Sequence, residues 1–120
     1  MRILLMMCVV LGANQANAEV TVKEYRTAMA RGREVDAMKV YVKGLGEGVG
    51  WANIRAKSLS APLYCAPPNF AVGLENFLDI LDREIELEMK RKMPQAQLDG
   101  SMIGLLLVLG LQETFPCARK

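Results

Sequence analysis

The stretch that decides the fold is Leu74-Glu75-Asn76-Phe77-Leu78-Asp79-Ile80-Leu81-Asp82-Arg83-Glu84-Ile85. Its apolar side chains recur with the i, i+3, i+4, i+7, i+11 spacing of one helix face, at Leu74, Phe77, Leu78, Leu81 and Ile85. This pattern predicts an amphipathic helix over residues 69–92, which Pro94 ends. The charged run in its second half is typical of a solvated face, and we predict that Glu84, Glu86 and Glu88 are exposed to water.

Three further segments carry helix signals. Thr21 and Glu24 have the spacing of a capping box, which predicts a helix over residues 21–30. Apolar residues at helical spacing predict a long helix over residues 34–57, and an apolar run predicts a last helix from Asp99 or Ser101, buried on all sides. No segment alternates with a period of two, so we predict no strand. The expected fold class is all-α, a small bundle of about four helices.

The first residues have the features of a cleavable signal peptide. Met1 and Arg2 form a positive n-region, residues 3–11 are apolar, and Ala16-Asn17-Ala18 matches a cleavage site. We therefore predict removal of residues 1–18 and one exported domain over residues 19–120. The apolar run is shorter than the roughly 20 residues that span a bilayer, so we expect no membrane insertion after cleavage. An ordinary buried helix is the alternative interpretation.

Cleavage would remove Cys8 and leave Cys65 and Cys117. An even number of cysteines in a small exported domain indicates one disulfide, whereas two buried thiols would fit a cytosolic protein. The two cysteines lie 52 positions apart. Closing a loop of that size should stabilise the fold by roughly 4 kcal/mol. Cys65 lies in a segment, residues 58–68, whose three prolines no helix interior tolerates.

The composition excludes several classes of function. The chain contains no histidine, which removes the usual general base and the commonest metal ligand. We therefore expect no enzyme, no cofactor and no metal, although a hydrolase that uses carboxylates alone stays possible in principle. A formal net charge of +2 lacks the strong basic excess of a nucleic-acid-binding protein.

Glycines occupy positions 44, 46, 48 and 50 in the middle of the predicted second helix. Each costs a helix interior about 1 kcal/mol relative to alanine, so their number demands a reason. Tyr41, Gly44, Gly48 and Trp51 share one face by their spacing. They predict either tight packing inside the monomer or a contact with a second copy or a partner.

Three segments together resemble a known family. They are Tyr41-Val42-Lys43-Gly44-Leu45-Gly46-Glu47-Gly48, Cys65-Ala66-Pro67 and Gln112-Glu113-Thr114-Phe115-Pro116-Cys117. In this order they resemble the immunity proteins of type VI secretion amidase effectors, the Rap/Tai group, over residues 35–117. The resemblance implies an all-helical, homodimeric periplasmic protein that is not an enzyme and that binds and blocks a peptidoglycan amidase. It also supports the pairing of Cys65 with Cys117.

An inhibitor of such an amidase needs a protrusion that fills a polar cleft. Residues 91–99 are polar and punctuated by proline, and we favour them together with the charged helix end before them. The predicted partner-binding residues are Glu86, Lys90, Arg91, Lys92, Gln95 and Gln97. Residues 58–64, close to the predicted disulfide, are a second candidate. The alternative function is a small periplasmic chaperone or stress protein, which would act without a dedicated partner.

Overall fold

The computed structural model describes residues 19–118. These residues form five helices and no strand, and the helices are α1 (Val22–Ala30), α2 (Val35–Ser58), α3 (Leu74–Lys90), α4 (Gln95–Asp99) and α5 (Ile103–Thr114). The predicted all-α class is confirmed, whereas the expected number of about four helices missed α4. The predicted signal peptide, residues 1–18, lies outside the described residues.

Helix α1 begins with the predicted capping box. The Thr21 hydroxyl accepts a hydrogen bond from the Glu24 N–H at 3.2 Å, and the Glu24 carboxylate accepts one from the Thr21 N–H at 2.8 Å. The flanking backbone pairs with the start of α5, where the Ile103 N–H donates to the Val20 carbonyl at 3.0 Å. An isolated antiparallel bridge between Thr21 and Met102 results. The first described residues are therefore fastened to the last helix.

Helix α3 begins at Leu74, five residues later than the prediction of residue 69. Asn69 has a left-handed backbone with φ of 64°, which interrupts any helix there. The Asn76 side chain accepts a hydrogen bond from the Gly73 N–H at 3.0 Å and so caps the helix at its real start. The segment between α2 and α3 is correspondingly longer than predicted.

The core lies mainly between α3 and α5, the pair of helices in most extensive contact. Leu74 of the predicted apolar face is half-buried, and the other four residues, Phe77, Leu78, Leu81 and Ile85, are buried. The prediction that α5 is buried on all sides is wrong, because Leu105 is 61% exposed. The apolar run of α5 therefore serves as one wall of the core and leaves a second face in water.

Two glycines set the distances between helices. A Cβ at Gly46 of α2 would lie 2.6 Å from Phe77 Cγ, and a Cβ at Gly110 of α5 would lie 2.6 Å from Ile80 Cγ2. Both distances are far below van der Waals contact, and Phe77 and Ile80 are themselves buried. The close approach of α2 and α5 to α3 thus depends on glycine at these two positions.

Candidate protein-binding surfaces

The segment between α2 and α3 is held in place by contacts with α2 on one side and with the residues that follow α5 on the other. The Asn53 amide on α2 donates to the Tyr64 carbonyl at 2.9 Å and accepts from the Leu63 N–H at 2.7 Å. The Cys65–Cys117 disulfide is formed, as predicted, and the Cys65 N–H donates to the Phe115 carbonyl at 2.8 Å. This pinned loop, residues 59–73, is thereby a preorganised surface, and Asn53 is the fastening residue that the sequence did not reveal.

A groove of about 700 Å³ runs between the second half of α2 and the pinned loop. Tyr64 and Phe77 lie at its base, and Trp51, Ile54 and Phe70 stand along its walls. Trp51 is 72% exposed and Ile54 is 61% exposed, so the walls present large apolar side chains to water. Exposed aromatic residues beside a concavity are typical of protein-interaction sites.

The four residues predicted to share one face of α2 differ in their exposure to water. Tyr41 is half-buried, and its hydroxyl accepts a hydrogen bond from the Val20 N–H, whereas Gly44, Gly48 and Trp51 are exposed. A Cβ at Gly44 or Gly48 would meet nothing within 4 Å. These two glycines therefore do not pack inside the monomer, and the other prediction, a contact with a second copy or a partner, stays open.

The six predicted partner-binding residues lie around the turn between α3 and α4, which we call the polar elbow. All six are exposed: Glu86, Lys90, Arg91, Lys92, Gln95 and Gln97. Residues 95–99 form α4 rather than the predicted loop, because Leu98 is fully buried and anchors that turn. Gln95 donates to Asp99 at 2.7 Å, so its amide already has a partner within the helix.

Arg91 is tied to three carboxylates and is less available to a partner than predicted. Its guanidinium pairs with Glu88 at 2.5 Å and with Glu113 at 3.0 Å, and it lies 3.6 Å from a Glu84 carboxylate oxygen. The arginine thus joins the end of α3 to α5. Lys90 and Lys92 make no ion pair within residues 19–118, which leaves them as the cations that the elbow offers to another molecule.

Two of the three glutamates predicted to be solvated are buried. Glu84 is only 1% exposed and Glu88 is also buried, whereas Glu86 is exposed as predicted. Glu84 Oε1 has no hydrogen-bond partner among the described residues. Burial raises the pKa of Glu84, the neighbouring Glu113 and Glu88 add to this rise, and Arg91 opposes it. The interface between α3 and α5 should therefore be sensitive to the protonation state of this carboxyl group.

Glu84→Gln is expected to change how stability depends on pH. A raised folded-state pKa means that protonated Glu84 stabilises the fold fully below the ordinary value of 4.5, and that this contribution disappears as pH rises through the folded-state pKa. The stability of the wild type relative to Glu84→Gln should therefore fall as the pH of a urea denaturation series is raised above the ordinary value of 4.5. Glu86→Gln, an exposed neighbour on α3, is the matched control and should show no such trend. Parallel trends for both variants would contradict the assignment to Glu84.

Comparisons with known proteins identify no family for this chain. No protein-family model matches the chain, and no curated protein and no solved structure is significantly similar to it. Within residues 19–118, no helix is long and apolar enough to cross a membrane. The same described range contains no group of three or more cysteine, aspartate or glutamate side chains arranged to hold a metal ion.

Proposed function

We propose that the chain is an exported immunity protein, which loses residues 1–18 and acts in the periplasm. In this proposal it binds a peptidoglycan amidase delivered by type VI secretion and blocks its cleft, which protects the producing cell. The observation that carries the proposal is the exposed, preorganised apolar surface around Trp51, beside a loop pinned by a disulfide. Preorganisation favours tight inhibition because little ordering entropy is lost on binding.

The polar elbow supplies the second half of the proposed contact. It projects Lys90 and Lys92 from the turn between α3 and α4, and the ion pairs of Arg91 hold that turn against α5. Exposed charges of this kind mainly raise the rate of association with an oppositely charged partner. The elbow would thus steer the amidase, while apolar surface provides most of the affinity.

We further propose that the exposed face of α2, with Gly44 and Gly48, contacts a second copy of the chain. Small residues allow another backbone to approach closely, and a two-fold axis would bring the same face of both copies together. The open space around both glycines supports such a contact, because nothing in the monomer occupies it.

Reversing the charge of Lys90 and Lys92 together is expected to weaken binding of the cognate amidase about tenfold, mainly through slower association. Arg91 stays unchanged, because its loss would leave Glu84, Glu88 and Glu113 without their cation and confound binding with folding. Surface plasmon resonance with the amidase encoded beside this gene measures both rates. Light scattering of the free protein and of the complex gives the number of copies in each.

The matched control reverses Lys23 and Arg26, two exposed cations on α1, and changes the net charge equally. Equal slowing by both double variants would show that overall charge, and not the elbow, steers binding. If no neighbouring gene encodes an exported hydrolase and none binds, the immunity proposal fails. Protection of unfolding client proteins without any dedicated partner would then favour the chaperone alternative, for which Leu105 and Trp51 offer exposed apolar surface.

A further inference from the structure

The groove beside α2 has large apolar side chains along its walls and a lysine at one end. Its charged lining residues are Glu47, which pairs with Lys43 at 3.8 Å, and Lys57, which has no ion pair among the described residues. From Arg55 to Gly73 the sequence contains no acidic residue. Lys57 lies in the last turn of α2, where the helix dipole offsets only part of its charge. The end of the groove near Lys57 is therefore suited to a carboxylate.

The groove also contains hydrogen-bond donors without acceptors. Tyr64 is 7% exposed, and its hydroxyl lies beside Gly50 with no hydrogen-bond partner among residues 19–118. The ordinary pKa of a tyrosine is 10.0 and burial raises that of Tyr64, so the hydroxyl is protonated at neutral pH and can donate. The Trp51 indole, a donor only, stands on the wall. An occupant with carbonyl acceptors would give this hydroxyl a hydrogen-bond partner.

The length of the groove fits an extended peptide segment. Its lining on α2 runs from Gly46 to Lys57, which corresponds to about 16 Å along the helix axis. An extended chain covers that distance with about five residues. The exposed walls at Trp51, Ile54 and Phe70 leave the groove open to water, whereas an acyl chain would need an enclosed pocket.

We propose that this groove seats an extended apolar segment of a partner protein, about five residues long, with a carboxylate that pairs with Lys57. The inference rests on the proposed role as a protein-binding domain and names the chemistry that this domain recognises. The apolar side chains of the segment pack between Trp51 and Phe70, and its backbone carbonyls accept from the Tyr64 hydroxyl. In the proposed complex, the groove holds the partner that the polar elbow attracts.

Selection from a random peptide library displayed on phage tests this proposal without any knowledge of the amidase. We expect the wild-type domain to enrich peptides in which apolar or aromatic residues are followed by aspartate, glutamate or a free carboxyl terminus. Fluorescence polarisation with the best synthetic peptide then compares variants. Lys57→Glu and Ile54→Ser should each weaken binding about tenfold, which corresponds to the loss of one good contact. Amidation of the peptide carboxylate should weaken binding of the wild type but have little effect on Lys57→Glu.

The controls separate this inference from the proposed function. Lys23→Glu makes the same charge change on α1, Val40→Ser removes an exposed apolar residue of α2 outside the groove, and both should bind the peptide normally. Enrichment of basic peptides, absence of enrichment, or binding of oleate in place of any peptide would overturn the inference. Amidase binding that is unaffected by Lys57→Glu and Ile54→Ser would also overturn it and leave the immunity proposal standing. If the domain binds peptides as expected but does not bind the amidase, the immunity proposal fails. The peptide measurements then still test whether the groove binds an extended segment.

Discussion

Replacing both Cys65 and Cys117 with alanine is expected to lower the free energy of unfolding by about 4 kcal/mol. The disulfide joins residues 52 positions apart, and without it the unfolded chain regains the entropy of that open loop. Small domains have only about 5–15 kcal/mol of total stability. The double variant should therefore unfold at a much lower urea concentration than the wild type.

The single tryptophan makes this measurement specific, because Trp51 stands in the wall of the groove next to the pinned loop. Its fluorescence should report the loss of the loop as well as global unfolding. The wild type in dithiothreitol is expected to match the double variant, and the double variant itself should not respond to dithiothreitol. Equal urea midpoints for the oxidised wild type and the double variant would show that the disulfide contributes nothing to stability.

Gly46→Ala and Gly48→Ala, two residues apart on α2, are expected to change stability in opposite directions. The methyl group at position 46 would collide with the buried ring of Phe77, and overpacking of this kind costs about 1–3 kcal/mol. The methyl group at position 48 meets open space, so the higher helix propensity of alanine should raise stability by up to about 1 kcal/mol.

Thermal denaturation of the two glycine variants and the wild type gives the comparison directly. Gly44→Ala, which is also exposed, should behave like Gly48→Ala. A gain of stability in all three variants would mean that α2 and α3 approach less closely than the structure shows. If Gly48→Ala instead loses stability at high protein concentration only, the loss would come from the contact with a second copy.

The sequence predicted the parts of the fold that depend on local periodicity. The apolar face of α3 repeats over several turns, the capping box of Thr21 and Glu24 lies within four consecutive residues, and both are present in the structure. Helix α4 has five residues and one buried side chain, Leu98, which is too short for any periodic pattern. Its existence depends on contacts with α1 and α3, and those contacts are not local in the sequence.

The errors at individual residues have a common cause. The prediction that Glu84 is exposed rests on its charge, although Glu84 lies three residues after Leu81 and one before Ile85, on the flank of the buried face. Gly46 lies four residues after Val42 on the inner face of α2, which distinguishes it from Gly44 and Gly48. For both Glu84 and Gly46, the position on the helix relative to neighbouring apolar residues indicates burial. The groove itself could not be predicted, because it depends on how Asn53 and the disulfide place a non-helical loop.

The disulfide also determines how the chain is connected once it is cut. It closes residues 65–117 into a covalent ring that contains α3, α4 and α5, while α1 and α2 form an open arm. A protease that cleaves after Lys90 or Lys92 would open the ring without separating its two pieces. Cleavage after Arg31, between α1 and α2, would leave α1 attached only by packing and hydrogen bonds. A nicked molecule would therefore keep the polar elbow and the groove on one covalent body, and its amino-terminal helix would be the part that can be lost.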